Sequence, residues 1–308
     1  MRILVMGAGV LGCNLADSFA HSKKDVTLLA RGQWAEEIRK NGLRIKNQLF
    51  PHTSVTRLPV ITELKPDDVY DVIFVCVRFT QIASVVDVLN ENRSKNVIFV
   101  GNNTRPNETA SSLKGKNVMF AFYSAAGHRE KNRVVSLNLK KITIGQLSGS
   151  PSNEHLINEI FQDTGLKVKY EPNMGDYLLC HAAFVLPLAF ACYKTKGNLK
   201  KIKRDKAYLN KVLNAIIEAY DAIRKAGHEL LPDSEKEYQS PKYRKDNLRF
   251  FKLLCGTFLG RVCVSDHAMN AVDEMSALNF DMERFFREHD AECPNWEELM
   301  EKLGMATY

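Results

Sequence analysis

Arg2-Ile3-Leu4-Val5-Met6 runs directly into Gly7-Ala8-Gly9-Val10-Leu11-Gly12, and a helical apolar pattern from Leu11 to Phe19 begins before the glycines end. A G-x-G-x-x-G spacing alone is a weak signal. Between a buried-strand pattern and a helix, however, each glycine has a reason: Gly7 for a tight turn, Gly9 for close approach of backbone to phosphate, and Gly12 for close packing of helix on strand. The helix N-terminus then offers unpaired N–H groups and a positive dipole end to a pyrophosphate. Gly7, Ala8, Gly9, Val10, Leu11 and Gly12 are therefore read as the dinucleotide-binding loop.

Working outward, residues 2–6, 26–29, 71–77, 96–100 and 118–122 read as strands separated by helical patterns, the alternation of parallel βαβ units. The run Val72-Ile73-Phe74-Val75-Cys76-Val77 suits a strand covered on both faces. After the turn-rich Glu171-Pro172-Asn173-Met174-Gly175, strand signals nearly vanish and helices are expected over 176–193, 207–226, 249–259 and 266–286. The expected fold is α/β plus all-α: an N-terminal Rossmann domain with a doubly wound sheet over 1–172, then a helical substrate or dimerisation domain over 173–308. The first of those helices, with Asp176 as its expected N-cap, is apolar nearly all round and should run through the domain's centre. Residues 232–247 look like an exposed connection.

The second strand decides the cofactor. Val26-Thr27-Leu28-Leu29-Ala30 ends in Arg31-Gly32-Gln33, without the acid that usually binds the ribose hydroxyls of NAD. A guanidinium there suits a 2′-phosphate, which favours NADP over NAD; the alternative is that Arg31 is an ordinary surface residue.

Composition sets outer bounds. The 308 residues are 45% hydrophobic and 26% charged, with a net charge of +7, as expected of globular domains. No window approaches the roughly 18 uninterrupted apolar residues of a membrane span, and the start lacks a signal peptide's basic flank, so a cytoplasmic protein is expected. The seven cysteines are widely spaced and lack metal-ligand spacing, so they are read as reduced, mostly buried thiols, with no metal site. Seven cations between Lys194 and Lys206 carry no interleaved aromatics, so a solvated helix end is expected rather than a nucleic-acid partner.

Several stretches together resemble the ketopantoate reductase (2-dehydropantoate 2-reductase) family. They are the glycine loop, Leu29-Ala30-Arg31, Val75-Cys76-Val77-Arg78-Phe79-Thr80-Gln81, Val100-Gly101-Asn102-Asn103, Thr143-Ile144-Gly145, His181-Ala182-Ala183-Phe184-Val185-Leu186-Pro187-Leu188 and Asp273-Glu274-Met275-Ser276-Ala277-Leu278. The resemblance implies reduction of a 2-keto acid by NADPH. It implies that Arg78 and Gln81 lie near the cofactor, that Asn102 lies near cofactor and substrate, and that Glu274 contacts the nicotinamide riboside. It also implies a catalytic lysine and two substrate-binding asparagines on the central helix, but aligned on Pro187 those places are Leu178, Ala182 and Leu186. A reduced ketone needs a proton or positive charge for its developing alkoxide, and these side chains supply neither.

His181, three residues after Leu178, projects from nearly the same helix face and is the first candidate for the missing acid; the alternative is a buried, hydrogen-bonded core histidine. His128 and Arg129 follow the last main strand and are candidates to face the cleft. Tyr177, Phe184 and Tyr193 are read as core, and Ser265-Asp266-His267 are adjacent residues that point apart and cannot form a triad. The expected function is that of an NADP-dependent oxidoreductase acting on a small, anionic carbonyl compound. Its ligands are expected where the strand ends meet the helical domain, with a homodimer possible. The rival readings are a non-catalytic NADP-binding sensor or scaffold, and a related reductase with another proton donor.

Overall fold

The structure, a computed structural model, describes residues 1–50 and 52–301, with Leu259 as backbone only. The chain forms β1 (Arg2–Met6), α1 (Val10–His21), β2 (Asp25–Leu29), α2 (Gly32–Asn41), β3 (Leu43–Asn47), β4 (Thr53–Thr56), β5 (Val60–Ile61) and β6 (Val72–Val75). There follow α3 (Ala83–Glu91), β7 (Asn96–Val100), α4 (Pro106–Ser111), β8 (Asn117–Arg129), β9 (Val134–Gly145), α5 (Glu154–Phe161) and β10 (Lys167–Tyr170). Two compact units emerge, Met1–Gly175 and the chain from Asp176 onward.

In the first unit one sheet has the order β4-β3-β9-β8-β7-β6-β1-β2-β5, with β10 beside β9. The six strands from β5 to β8 in that order are all parallel. Taken in chain order they lie 3-2-1-4-5-6, the Rossmann arrangement, whose order reverses between β1 and β6. Hydrophobic burial holds the layers: Phe19 of α1 and Phe161 of α5 meet Phe74 of β6 with ring centroids 5.1 and 5.9 Å away. Asn14 ties α1 to the far side of the sheet, its Nδ2 donating to Ser136 Oγ at 3.1 Å, while Asn138 Nδ2 donates to Tyr123 Oη at 2.6 Å.

All five strands expected from sequence form, and five more join them. β3 buries only alternate side chains, β10 half-buries only alternate ones and β5 spans two residues, so none carries the continuous apolar run that marks a doubly covered strand. β9 makes the sheet mixed rather than purely parallel, because it returns antiparallel to β8, which itself runs seven residues past position 122.

The second unit is built on α6 (Met174–Thr195), followed by α7 (Lys206–Lys225), α8 (Arg244–Leu254), α9 (Phe258–Gly260), α10 (Asp266–Asn270), α11 (Val272–Glu288) and α12 (Pro294–Glu301). α6 is the expected central helix: Phe184 packs on Tyr238 and Phe251, and Phe190 sets its edge against Trp296 at 5.6 Å. Three expectations are corrected. α6 starts at Met174, so Asp176 is not its N-cap; its carboxylate instead accepts from His228 Nδ1 at 2.7 Å and from the Glu229 N–H at 2.8 Å. The helix expected over 266–286 breaks at Ala271, where φ is −135°. The third concerns the membrane: α6, with a mean hydropathy of 1.5, is long and apolar enough to cross one by length and composition, although 67% of that window is buried, as in a core helix. Residues 232–247 lie mostly at the surface in tight turns and the start of α8, but Glu235 turns inward to accept from the Tyr220 hydroxyl.

Glu218 of α7 caps α12 by accepting from the backbone N–H of Asn295 at 2.9 Å and of Trp296 at 3.3 Å, two donors that no helical carbonyl can reach. Glu218→Ala should therefore cost about 1–3 kcal/mol in urea denaturation, and Glu218→Gln, which keeps an acceptor, clearly less.

Candidate cofactor site

The turn after β1 is drawn tight by the Gly7 N–H donating to Leu29 O at 3.1 Å and the Cys76 N–H donating to Met6 O at 2.8 Å. Gly7 has φ +108°, and a Cβ there would stand 2.5 Å from Cys76 O. A Cβ on Gly12 would stand 1.9 Å from Gly7 O. The protein itself demands these two glycines. Gly9 differs: it is exposed, and nothing lies within 4 Å of the position its Cβ would take. That open space lies at the start of α1, where no side chain caps the helix and no acid occupies the first turn. Unclaimed N–H groups, a positive dipole end and room for close approach fit a dinucleotide pyrophosphate. Ala8 is buried, and Val10 and Leu11 half-buried, beside that space.

The other candidates of this unit follow the C-terminal ends of neighbouring parallel strands, so the topology gathers them along one edge of the sheet. Arg31, after β2, is the exposed N-cap residue of α2 and makes no ion pair among the described residues. Arg78, after β6, is exposed, whereas the Gln81 Oε1 accepts from the Arg78 backbone N–H at 3.3 Å and so braces its own turn. After β7 the two adjacent asparagines separate. Asn103 is buried and fully used, Nδ2 donating to Thr109 Oγ1 at 3.0 Å and Oδ1 accepting from the Arg105 N–H at 2.8 Å. Asn102 instead has a buried Oδ1 with no hydrogen-bond partner among the described residues. A buried acceptor left unpaired costs about 1–3 kcal/mol, so this oxygen fits a donor brought by a ligand.

His128 pairs with Glu130 at 3.6 Å, a carboxylate also taken by Arg133, while the Arg129 guanidinium lies over the Trp34 ring, 5.5 Å from its centroid. Trp34 was not among the residues singled out in the sequence. Its Nε1–H donates to Ala8 O at 3.0 Å, joining α2 to the glycine loop. Its place one helical turn after Arg31 is the only signal the sequence offers.

Residues 3–149 match the family model described as ketopantoate reductase PanE/ApbA. They are a ketopantoate reductase family domain. Over 180 residues, 56% of this chain and 57% of the relative, the sequence is 27% identical to a 2-dehydropantoate 2-reductase of Pyrococcus horikoshii. The match thus spans little more than half the length of that curated relative. Likeness of fold reaches further: a 2-dehydropantoate 2-reductase structure from Geobacter metallireducens GS-15 superposes with a TM-score of 0.80 at 17% identity, covering 100% of both chains. A D-mandelate dehydrogenase structure with NADH and anilino(oxo)acetate gives a TM-score of 0.80 at 14% identity, covering 99% of this chain and 97% of that one. The chain therefore has the fold of the ketopantoate reductase-family oxidoreductases.

Within the second unit, the positions where the family resemblance implies a lysine and two asparagines are buried and apolar: Leu178, Ala182 and Leu186 are no more than 2% exposed. Glu274 is buried in the first turn of α11, where a carboxylate favours the helix dipole. Tyr193 donates to Ala268 O at 3.2 Å and Phe184 packs among aromatic rings, so both have core roles. Ser265 Oγ lies 3.6 Å from Cys192 Sγ, and all seven cysteines are free thiols. Burial first, and the nearby His267 second, push the His181 imidazole down from its ordinary 6.5 to about 4. At neutral pH it carries a single ring proton, so it can donate a hydrogen bond but lacks the second proton of an ordinary general acid.

Two outcomes follow from this geometry. Gly9→Ala should fold and melt with the wild type yet weaken dinucleotide binding about tenfold or more in a fluorescence titration, whereas Gly12→Ala should lose about 1–3 kcal/mol or more of stability. The second concerns pH. Because the folded protein holds the His181 pKa below its unfolded value, the unfolded chain takes up a proton first as the solution is acidified. Stability should be intact above about pH 6.5 and fall between 6.5 and 4. His181 keeps part of its surface in solvent, so the loss should be on the order of 1–3 kcal/mol. His181→Gln should flatten this limb of the denaturation profile. His228, raised by the Asp176 carboxylate, has the opposite sign, its contribution being lost as pH rises through its folded pKa.

Proposed function

We propose that this chain is an NADP-dependent reductase that acts on a small carbonyl compound, a 2-keto acid or close relative, in the cytoplasm. The observation that carries the reading is the unfilled space at Gly9, at the start of a helix whose first N–H groups have no competing acid or cap. Arg31, exposed and without an ion pair among the described residues, favours NADP because a guanidinium binds a phosphomonoester in a bidentate, charge-assisted manner. Bound there, the cofactor supplies a hydride from its nicotinamide ring. The chain's own part is to orient it: the loop N–H groups at the pyrophosphate, Arg31 at the adenosine phosphate, Asn102 Oδ1 as acceptor for a ligand donor, and Glu274 toward the nicotinamide end.

The proton side of the reaction departs from the family pattern. With Leu178, Ala182 and Leu186 buried and apolar, we assign His181 the role of a neutral hydrogen-bond donor to the substrate carbonyl, a weaker stabilisation of the alkoxide than a lysine gives. The loss of polar groups at these three positions favours a substrate less polar than ketopantoate. The same observations favour a second reading, an NADP-binding sensor that has kept the cofactor loop and lost turnover.

Titration of NADPH fluorescence, followed by absorbance assays at 340 nm over a panel of 2-keto acids of increasing side-chain size, separates them. The reductase reading expects binding and oxidation of NADPH with at least one large, apolar 2-keto acid, and a kcat about 10²-fold or more lower in His181→Leu, which removes the N–H donor, than in His181→Gln, which keeps one. Tight binding without oxidation by any member of the panel establishes the sensor instead.

A further inference from the structure

The first turn of α2 carries more than Arg31. Trp34, three residues on, is 7% exposed and fixed by its indole N–H to the carbonyl of Ala8, so its ring is a rigid surface beside the glycine loop. The cation over that ring comes from almost a hundred positions later in the chain, and the sheet explains how. β8 and β9 pair in two stretches, Phe120–Tyr123 against Ile142–Gly145 and Ala125–Arg129 against Val134–Asn138, with an irregularity between them. The far stretch is gripped by β3, which pairs Ile45 with Val134 and Lys46 with Val135. Arg129 lies directly opposite Val134 and so shares its face of the sheet. Val134, Ile45, Trp34 and Ala8 belong to one buried cluster, so Arg129 projects toward α2 and rests on Trp34.

Its charge is also unspent. Arg129 is exposed and makes no ion pair among the described residues, because the neighbouring Glu130 is held by Arg133 at 2.6 Å and by His128. A guanidinium on an indole face is held by cation–π attraction worth about 0.5–1 kcal/mol at an exposed site, while its N–H edge stays available. Two guanidinium groups, at Arg31 and Arg129, thus flank a single helical turn next to the nucleotide loop, and neither has a carboxylate partner among the described residues.

We infer that Arg129 is a specificity residue for the cofactor: with Arg31 it clamps the 2′-phosphate of NADP, and Trp34 holds its guanidinium in position. This rests on the NADP reading above. A 2′-phosphate carries nearly two negative charges and three acceptor oxygens, enough for both side chains, whereas NAD has only a neutral 2′-hydroxyl there and no charge for Arg129 to pair with.

The test measures the affinities of full-length wild type and Arg129→Met for NADPH and NADH by fluorescence titration. Methionine keeps an apolar stem on Trp34, and the melting temperature checks that the variant is folded. The expected result is an NADPH Kd about tenfold higher with the NADH Kd unchanged, and an intermediate value for Arg129→Lys, which keeps the charge without the planar fork. Unchanged NADPH affinity overturns the inference, as does equal weakening for both cofactors, which would place Arg129 on the part they share. A wild type that prefers NADH refutes the NADP reading itself, and the inference with it, before any variant is compared.

Discussion

The carbonyl of Gly7 and the backbone of Gly12 approach so closely that a Cβ on the latter would stand 1.9 Å from the former's oxygen. This contact sets the distance between α1 and the centre of the sheet, and much of the first unit is arranged around it. It seats Phe19 against Phe74 and lets Asn14 reach Ser136 on β9. It also leaves the N-terminal turn of α1 directed outward at the point where the strand order reverses. Close-packed interiors tolerate little relaxation, so a helix lifted by one methyl group would disturb all these contacts together.

Around that contact, residues divide by whether the protein itself uses their functional atoms. Gly7 and Gly12 are required by sterics, Gln81 braces its own turn, and Asn103 has both its amide nitrogen and its oxygen engaged. Gly9, Arg31, Asn102 and Arg129 are the remainder: an empty space and, among the described residues, two cations without counter-ions and a buried oxygen without a donor. Apart from the cation–π contact of Arg129 with Trp34, none stabilises the fold in an evident way. Their common feature is a capacity to meet an anionic, hydrogen-bonding ligand, and the topology aligns them with the ends of adjoining parallel strands.

The second unit follows a different logic. Its central helix is held by rings and aliphatic side chains on nearly every side, and two histidines of the unit, His181 on that helix and His228 after α7, are shifted in opposite directions. His228 is raised by a carboxylate, whereas His181 is lowered by burial. An apolar helix stabilises its unit well and stabilises a developing alkoxide poorly. That tension separates this chain from the pattern its family resemblance implies.

Much of the fold could be read from the order of residues. Short-range patterns are carried by neighbours in sequence, so the glycine loop, the five strands buried on both faces and the long helices were legible, as was the loss of polar groups at Leu178, Ala182 and Leu186. Half-exposed strands such as β3 and β10 lack a continuous apolar run and were not. The engagement of Asp176 by His228 depends on a residue distant in sequence, beyond the reach of local propensity. The same holds at the candidate site. The sequence by itself determined a strand, a glycine turn and a helix, together with an arginine where an acid would select NAD. Only the tertiary structure decided that Asn102 rather than Asn103 keeps an unpaired oxygen, that burial keeps His181 neutral, and that Arg129 rests on Trp34. Each of these depends on which surfaces are brought together and shielded from water, and no residue carries that information in its own identity.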